Sequence, residues 1–179
     1  MKRHHIALIM WLGLSLVFVT YVRMSSSAMP EQVATHFDGA GNPNGWTTRS
    51  ASMGFMTWTG LGLAALFAGM GYVGRFIPPR YFNIPNAEHW LAPEHRQEVD
   101  EYLLRHFLWM ACIVELFFIG LQATIVEANR HSPPVLSGPP FLLALVAFTA
   151  AVLIWSVMLA QHFRKKSDPT LSIVATSRQ

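Results

Sequence analysis

The sequence predicts an all-α integral membrane protein with four transmembrane helices, a small extracytoplasmic β-hairpin-like loop and a cytoplasmic amphipathic segment. Of its 179 residues, 52% are hydrophobic and 13% are charged, which is too apolar for an ordinary soluble domain. Four apolar runs each approach the ~20 residues that a helix needs to cross a bilayer. Two long polar stretches lie between the first three runs, and the length suits a single domain.

The transmembrane helices are predicted at about 6–24, 53–77, 106–127 and 141–163. The outer loop is then 25–52, the inner loop 78–105 and the cytoplasmic tail 164–179. The first run has basic residues before it, as a signal peptide does, but it is longer than the ~7–15 apolar residues of a signal-peptide core. Arg23 also separates it from the small residues that could mimic a cleavage site. It is therefore predicted to stay as a membrane anchor.

The basic residues predict the orientation. With the N-terminus inside, ten of the 13 Lys and Arg residues fall on the cytoplasmic side and three on the outer side. The three outer ones are Arg23, Arg49 and Arg130. Both termini are therefore predicted to be cytoplasmic and the hairpin to face outward. Because the basic residues cluster at helix ends, where anionic headgroups attract them, the expected partner is the lipid bilayer and not nucleic acid.

The outer polar stretch, residues 29–46, is predicted to fold as strand, tight turn and strand. Val33, Thr35 and Phe37 alternate in its first half, and its middle is rich in Gly, Asn and Pro. Three glycines can adopt positive φ there: Gly39, Gly41 and Gly45. The rings of Phe37 and Trp46 are expected to pack across the hairpin or to lie at the headgroup level.

This stretch resembles the signature of a bacterial membrane-protein family known as a domain of unknown function, the module that also begins SdpI-type immunity proteins. The matching residues are Pro30, Glu31, Val33, His36, Phe37, Asp38, Gly41, Pro43, Gly45 and Trp46. Met29 replaces a usual leucine, and Ala34 a frequent proline. A second match, from Asn83 to Arg96, extends the resemblance to roughly the first 105 residues.

The resemblance implies a place in the bacterial cytoplasmic membrane. SdpI-type proteins confer immunity to a secreted peptide toxin and sequester a repressor at the membrane, so immunity and signalling are the roles it suggests. Those proteins carry additional membrane helices after the module, whereas a single predicted helix follows the third one here.

The inner stretch, residues 78–96, contains four prolines that exclude a continuous helix before Pro93. From Pro93, apolar residues at helical spacing predict an amphipathic helix that runs into the third membrane helix.

In the second helix, Gly60, Ala64 and Ala68 form a face of small residues. Such a face permits close helix packing, with another helix of the same chain as the favoured partner. The single cysteine, Cys112, excludes an intrachain disulfide.

Glu115 lies deep in the third apolar run. It is expected to point into the bundle, to be protonated, or both. One reading is a proton or cation relay. The favoured reading is a neutral acid bonded to Gln122, Ser156 or a helix backbone, because no second carboxylate or base lies deep within the membrane runs to receive the proton.

Two groups of side chains offer metal ligands. The outer group is Glu31, His36, Asp38 and His131, and the inner group is His89, Glu94 and His95. Neither has the spacing of a zinc motif. His36 and Asp38, two apart on a predicted strand, would share one face and could hold a cation or a hydrogen bond. No cofactor is expected, with a metal at His36 and Asp38 as the alternative.

The predicted function is a binding, signalling or immunity-like module that recognises a peptide, an envelope component or a partner protein through its outer loop. Two alternatives remain: an accessory subunit of a larger membrane complex or oligomer, and a metal-dependent membrane enzyme or transporter. Convergent polar groups are too few to favour an enzyme. The candidate binding residues are His36, Phe37, Asp38, Gly41, Pro43 and Trp46 outside, and Asn83, Pro85, Asn86 and Trp90 inside. The intramembrane polar candidates are Glu115 and Gln122.

Overall fold

The computed structural model describes residues 3–164, so the predicted tail lies outside the described residues except for Arg164. Five helices and two strands follow in order: α1 Arg3–Ser27, β1 Gln32–Phe37, β2 Pro43–Thr48, α2 Arg49–Val73, α3 Ala87–Trp90, α4 Arg96–Ala128 and α5 Gly138–Arg164. Short 3-10 turns at Gly74–Phe76 and Pro79–Tyr81 lead from α2 towards α3.

Four helices in the described part of the chain are long and apolar enough to cross a membrane. They are His4–Ser27, Arg49–Phe76, Arg96–Ala128 and Gly138–Arg164. This agrees with the four predicted spans and is consistent with a multi-pass membrane protein. Each helix begins before its predicted span, because polar flanking residues continue the backbone hydrogen bonds beyond the apolar run. All but the second, which ends at Phe76, also end after it.

The core lies around α4. In the most apolar stretch of α4, 56% of the residues are buried. The corresponding fraction is 17% in α1 and 22% in α2, and no residue is buried in that stretch of α5. Helices α1, α2 and α5 all pack on α4. We call the end of the bundle that carries the strands the hairpin end. The opposite end carries α3, the start of α4 and the last turn of α5.

The small-residue face of α2 packs inside the chain, as predicted. Gly60, Ala64 and Ala68 are buried, together with Gly71. A Cβ on Gly60 would lie 2.6 Å from Cζ of Phe18, and one on Gly71 would lie 2.8 Å from Cβ of Phe107. Small residues are therefore required where α2 meets α1 and α4.

The two strands pair antiparallel, which confirms the predicted hairpin. Ala34 pairs with Trp46, His36 with Gly45 and Phe37 with Pro43, with irregularities on either side of His36. The prediction for the glycines was partly wrong. Among the glycines of residues 3–164, Gly41 is the one with positive φ, at 86°. Gly45 is required for space, because a Cβ there would lie 2.8 Å from Cβ of His36.

The predicted amphipathic helix is continuous with the third membrane helix, but it begins at Arg96 and not at Pro93. Turns occupy residues 91–95. Arg96 fixes this start, since its Nη2 donates to the carbonyls of Gly74 (2.9 Å) and Ile77 (3.1 Å). Both carbonyls lie just after α2, so this side chain ties the end of α2 to the start of α4.

Candidate ligand-binding site at the hairpin end

The hairpin is held on α4 by one buried amide. Asn129, the residue after α4, accepts from the backbone N–H of Ala34 and donates to the carbonyl of the same residue, both at 2.9 Å. The side chain thus acts as a short additional strand beside β1. Its Nδ2 also donates to the carbonyl of Ile125 at 2.9 Å, which ties the amide to the last turn of α4.

The turn between the strands is built by Asp38. Its Oδ1 accepts from the backbone N–H of Asn42 at 2.8 Å and of Ala40 at 2.9 Å, and its Oδ2 accepts from Nδ2 of Asn42 at 3.3 Å. The backbone hydrogen bond from Asn42 is the main reason that the pKa of the Asp38 carboxyl is lowered. Asp38 is therefore an ionised turn residue.

The tip of the hairpin contacts the connection between α4 and α5. The N–H of Leu136 donates to the carbonyl of Gly41 at 3.0 Å. A Cβ on Gly41 would lie 2.6 Å from the carbonyl oxygen of Leu136, so this close approach requires glycine in addition to the positive φ.

A cavity of about 470 Å³ lies between the hairpin and the adjoining turns of α4 and α5. Its hairpin wall runs from Thr35 to Gly41 and includes His36 and Asp38. The floor is apolar, formed by Leu121 and Ile125 of α4 and by Phe141 and Leu142 of α5. Thr124 adds one hydroxyl to the α4 side. The cavity thus joins a polar rim to an apolar floor.

Four of the predicted outer binding residues line this cavity: His36, Phe37, Asp38 and Gly41. Pro43 and Trp46, on β2, do not line it. Phe37 and Trp46 do not pair across the hairpin, because Phe37 lies opposite Pro43 and Trp46 lies opposite Ala34. A position of their rings at the headgroup level, the other expectation, stays a prediction. Trp46 is 52% exposed, which leaves its ring available to a headgroup region or a partner.

The geometry expected of His36 and Asp38 was also wrong. Strand β1 ends at Phe37, so Asp38 lies in the turn and its carboxylate faces backbone N–H groups of that turn. Of the other outer candidates, His131 faces the end of α4, where its Nε2 lies 3.8 Å from Oε1 of Glu127. Within residues 3–164, no group of three or more His, Cys, Asp or Glu side chains is placed to hold a metal ion.

Glu115 is completely buried, but its partners differ from those predicted. Its Oε1 accepts from Oγ of Ser15 at 2.6 Å and from Nε1 of Trp11 at 3.2 Å, so both partners lie on α1. Gln122 faces α1 as well, where its Nε2 donates to the hydroxyls of Ser25 and Ser26. The register between α1 and α4 cannot be derived from the sequence, so these partners could not be predicted from spacing alone.

The inner candidates divide into two exposed and two structural residues. Asn83 and Pro85 are exposed. Asn86 adopts a left-handed conformation, and its Nδ2 donates to the carbonyl of Phe163 at 3.0 Å. Nε1 of the buried Trp90 donates to the same carbonyl at 3.0 Å. Asn86 and Trp90 therefore cap the last turn of α5.

A stack of rings continues this contact along α4 and α5, and sequence reasoning missed it. Tyr102 stacks on His162 with ring centres 3.5 Å apart, and His106 stacks on Trp155 at 4.5 Å. His106 and Trp155 also exchange hydrogen bonds, each ring nitrogen with the other residue's carbonyl. The sequence contains a signal for these contacts. Tyr102 and His106 lie near the start of α4, and Trp155 and His162 lie near the end of α5. Two consecutive antiparallel helices bring these positions to the same end of the bundle.

Residues 8–60 match the model of a family described as Domain of unknown function (DUF1648). The match covers most of α1, the whole hairpin and the first half of α2, and it supports the family resemblance drawn from residues 30–46. No curated protein and no solved structure matches the chain.

Proposed function

We propose that the chain is a multi-pass protein of the bacterial cytoplasmic membrane that binds an extracytoplasmic ligand in the cavity under its hairpin. One observation carries the proposal. His36, Phe37, Asp38 and Gly41 match the signature that the sequence resembles, they lie within the family match at residues 8–60, and all four line a single cavity of about 470 Å³. A concave site with an apolar floor and few polar groups is the usual form of a ligand pocket.

The proposed orientation rests on charge. The hairpin end carries Arg23, Arg49 and Arg130. The opposite end carries the other six basic residues of the described chain, Arg3, Arg75, Arg80, Arg96, Arg105 and Arg164. Under the positive-inside rule the opposite end is cytoplasmic. Labelling by an impermeant thiol reagent in whole cells tests this: Asn44→Cys on β2 should react and Glu88→Cys in α3 should not. The reverse pattern would refute the orientation.

Helix α5 supplies a route for signalling from the cavity. Phe141 and Leu142 in its first turns form part of the cavity floor, and Asn86 and Trp90 cap its last turn about 30 Å away, given a rise of 1.5 Å per residue. A ligand that displaces the first turns would shift the carbonyl of Phe163 relative to Trp90. We propose this as the link between outer binding and the inner segment, in an immunity-like or signalling role.

An accessory subunit is the second candidate, and the exposure of α5 favours it. The most apolar part of that helix has no buried residue, so one side is free to meet lipid or another protein. The small-residue face of α2 gives no support, because α1 and α4 occupy it.

Photo-crosslinking in native membranes tests the binding proposal. A benzophenone side chain at Phe37 or Phe141 should form an adduct with the same bound molecule, whether a peptide, an envelope component or a partner protein. Phe55, which is 69% exposed on α2 and away from the cavity, is the matched control. Adducts at Phe37 and Phe141 that differ from those at Phe55 support the cavity. Identical adducts at all three positions would refute it.

A further inference from the structure

We infer that the protein binds an anionic phospholipid at the end opposite the hairpin, with one acyl chain in a cavity between α2 and α5 and the phosphate beside Arg80 and Arg164. This cavity shares no lining residue with the hairpin cavity. The inference therefore goes beyond the proposed function and does not depend on it. It requires only that the four long apolar helices lie in a membrane.

The cavity is a single space of about 620 Å³. Helices α2 and α5 both pack on α4, and Leu103 and Phe107 of α4 form the floor of the cavity between them. The α2 wall runs from Ala65 to Val73, which is about 12 Å at 1.5 Å per residue. The hydrocarbon core of a bilayer is ~30 Å thick, so each leaflet supplies about half of that depth. The cavity therefore has a length that suits an acyl chain of one leaflet.

The lining of the cavity favours a hydrocarbon chain over an extended peptide. Every residue that lines it is apolar or glycine. An extended peptide placed there would leave its N–H and C=O groups without hydrogen-bond partners, which is costly in an apolar medium. A hydrocarbon chain has no such groups.

The loop between α2 and α3 crosses the end of the cavity at the membrane surface. Ile77 lies just after α2, and Nδ2 of Asn86 donates to the carbonyl of Phe163 in the last turn of α5 at 3.0 Å. The residues between Ile77 and Asn86 thus run from α2 to α5, and Phe82 and Ile84 among them line the cavity. A membrane-spanning helix of a second copy or of another protein, ~10–12 Å across, would meet this loop. An acyl chain that ends inside the membrane would not.

A glycine keeps the α2 wall open. Gly69 lines the cavity, and nothing lies within 4 Å of a Cβ added there. A larger side chain at this position would therefore enter the cavity. Gly62 lies two turns earlier on the same face of α2, also with nothing within 4 Å of an added Cβ, but it does not line the cavity. The two glycines form a matched pair for a test.

Arg80 places a positive charge beside the cavity. It lies in the loop between Ile77 and Phe82, both of which line the cavity, and it is exposed. Its guanidinium lies over the ring of Tyr81, 4.8 Å from the ring centre, and its Nη2 donates to Oη of Tyr81 at 3.1 Å. An arginine that rests on an exposed aromatic ring is typical of the headgroup level of a membrane.

Arg164 places a second positive charge there, because it directly follows the lining residue Phe163 and is exposed. Within residues 3–164, neither Arg80 nor Arg164 forms an ion pair with a carboxylate. Arg96, also at this end, is compensated, since its Nε lies 3.2 Å from Oδ1 of Asp100. Exposed cations at a membrane surface attract anionic lipids. The charge beside the cavity therefore favours a phospholipid with a net negative headgroup.

The first experiment tests the acyl chain. The full chain is placed in phosphatidylcholine nanodiscs with a small fraction of phosphatidylglycerol that carries a diazirine in its acyl chain. Labelling should map to residues 65–77, 103–107 and 159–163. It should be lost in Gly69→Leu, which fills the cavity, and retained in Gly62→Leu. Unlabelled phosphatidylglycerol should compete, whereas soluble glycerol phosphate should not.

The second experiment tests the headgroup. Phosphatidylglycerol with the diazirine should label these residues more strongly than phosphatidylcholine with the same diazirine. The double variant Arg80→Gln and Arg164→Gln should lose this preference. Arg75→Gln should keep it: Arg75 is exposed at the same end, but its guanidinium lies over the ring of Tyr72 and it lines a different pocket.

Several outcomes would overturn the inference. Equal labelling in Gly69→Leu and Gly62→Leu is ordinary contact with lipid. Equal labelling by the two phospholipids, or a preference that survives the loss of both arginines, refutes the anionic headgroup. Displacement by glycerol phosphate refutes the acyl chain as a part of the ligand. A benzophenone side chain at Leu66 in native membranes should form an adduct with the mass of a phospholipid, and an adduct with a second copy or another protein would refute a lipid occupant.

Discussion

Asn129 and Ala34 exchange two hydrogen bonds across 95 positions of sequence, and this pair fixes the hairpin to the end of α4. Asn129 is buried and uses both sides of its amide, since its oxygen accepts and its nitrogen donates. The hairpin has only two strands, which seldom form a stable sheet alone. Its position above the cavity therefore depends on this contact.

Asn129→Asp should loosen the hairpin. An ionised aspartate cannot donate to the carbonyl of Ala34, so a buried acceptor would lose its partner at a cost of about 1–3 kcal/mol. We expect a lower midpoint of thermal unfolding in detergent and faster amide hydrogen exchange in residues 32–37. Asn44→Asp, on the exposed side of β2, is the matched control. Equal exchange in the two variants would show that Asn129 does not hold the hairpin.

Gly41→Ala should be far more damaging than Gly39→Ala. Gly41 has a φ of 86° and lies against the carbonyl of Leu136, whereas nothing lies within 4 Å of a Cβ added to Gly39. The backbone strain alone costs about 1–3 kcal/mol. The measurement is the thermal midpoint of each variant, together with crosslinking from Phe141 to show whether the cavity survives. Similar behaviour of the two alanine variants would contradict the close contact at Gly41.

The long elements could be predicted from the sequence, because apolar length and turn composition are local properties. The four helices, the hairpin and the inward small-residue face of α2 were all predicted correctly. The special role of each hairpin glycine could not be assigned. Three glycines looked equally suited to positive φ, and Gly41 alone of the three adopts it, where the tip meets Leu136.

The candidate site could be predicted only in part, because its second wall comes from distant residues. The family signature identified His36, Phe37, Asp38 and Gly41, but no local pattern connects them with Phe141. Glu115 shows the same limit. Its depth in an apolar run predicted a partner within the bundle, while the choice of Trp11 and Ser15 depends on the rotation of α1 against α4.

The hairpin turn should be lost in acid. Folding lowers the pKa of Asp38, so its contribution to stability is complete above the pKa of an unfolded aspartate, about 3.9, and is lost as the pH falls through the lower folded value. Amide exchange at Ala40 and Asn42 should therefore remain slow above about pH 4 and rise below it, after correction for the intrinsic exchange rate. In Asp38→Asn this acid transition should disappear. Its persistence in that variant would assign the transition to another group.

Glu115→Gln should fold almost as well as the parent protein. A glutamine oxygen can accept from both Ser15 and Trp11, and the change removes the titratable proton while the size of the side chain is kept. Glu115→Ala removes the acceptor, leaves Nε1 of Trp11 without its partner and opens a space beside α1. It should cost about 1–3 kcal/mol.

Thermal unfolding in detergent at neutral pH tests the interpretation of Glu115 as a neutral hydrogen-bonding acid. Glu127→Gln is the control, since Glu127 is an exposed carboxylate on the same helix and pairs with Arg130. A midpoint for Glu115→Gln close to that of this control, with Glu115→Ala well below both, supports a neutral hydrogen-bonding acid. If the unfolding midpoint of Glu115→Gln is as low as that of Glu115→Ala, the carboxyl group does more than accept hydrogen bonds from Ser15 and Trp11. That result would refute the neutral hydrogen-bonding acid, whereas loss of function in a Glu115→Gln protein that folds normally would favour the relay interpretation.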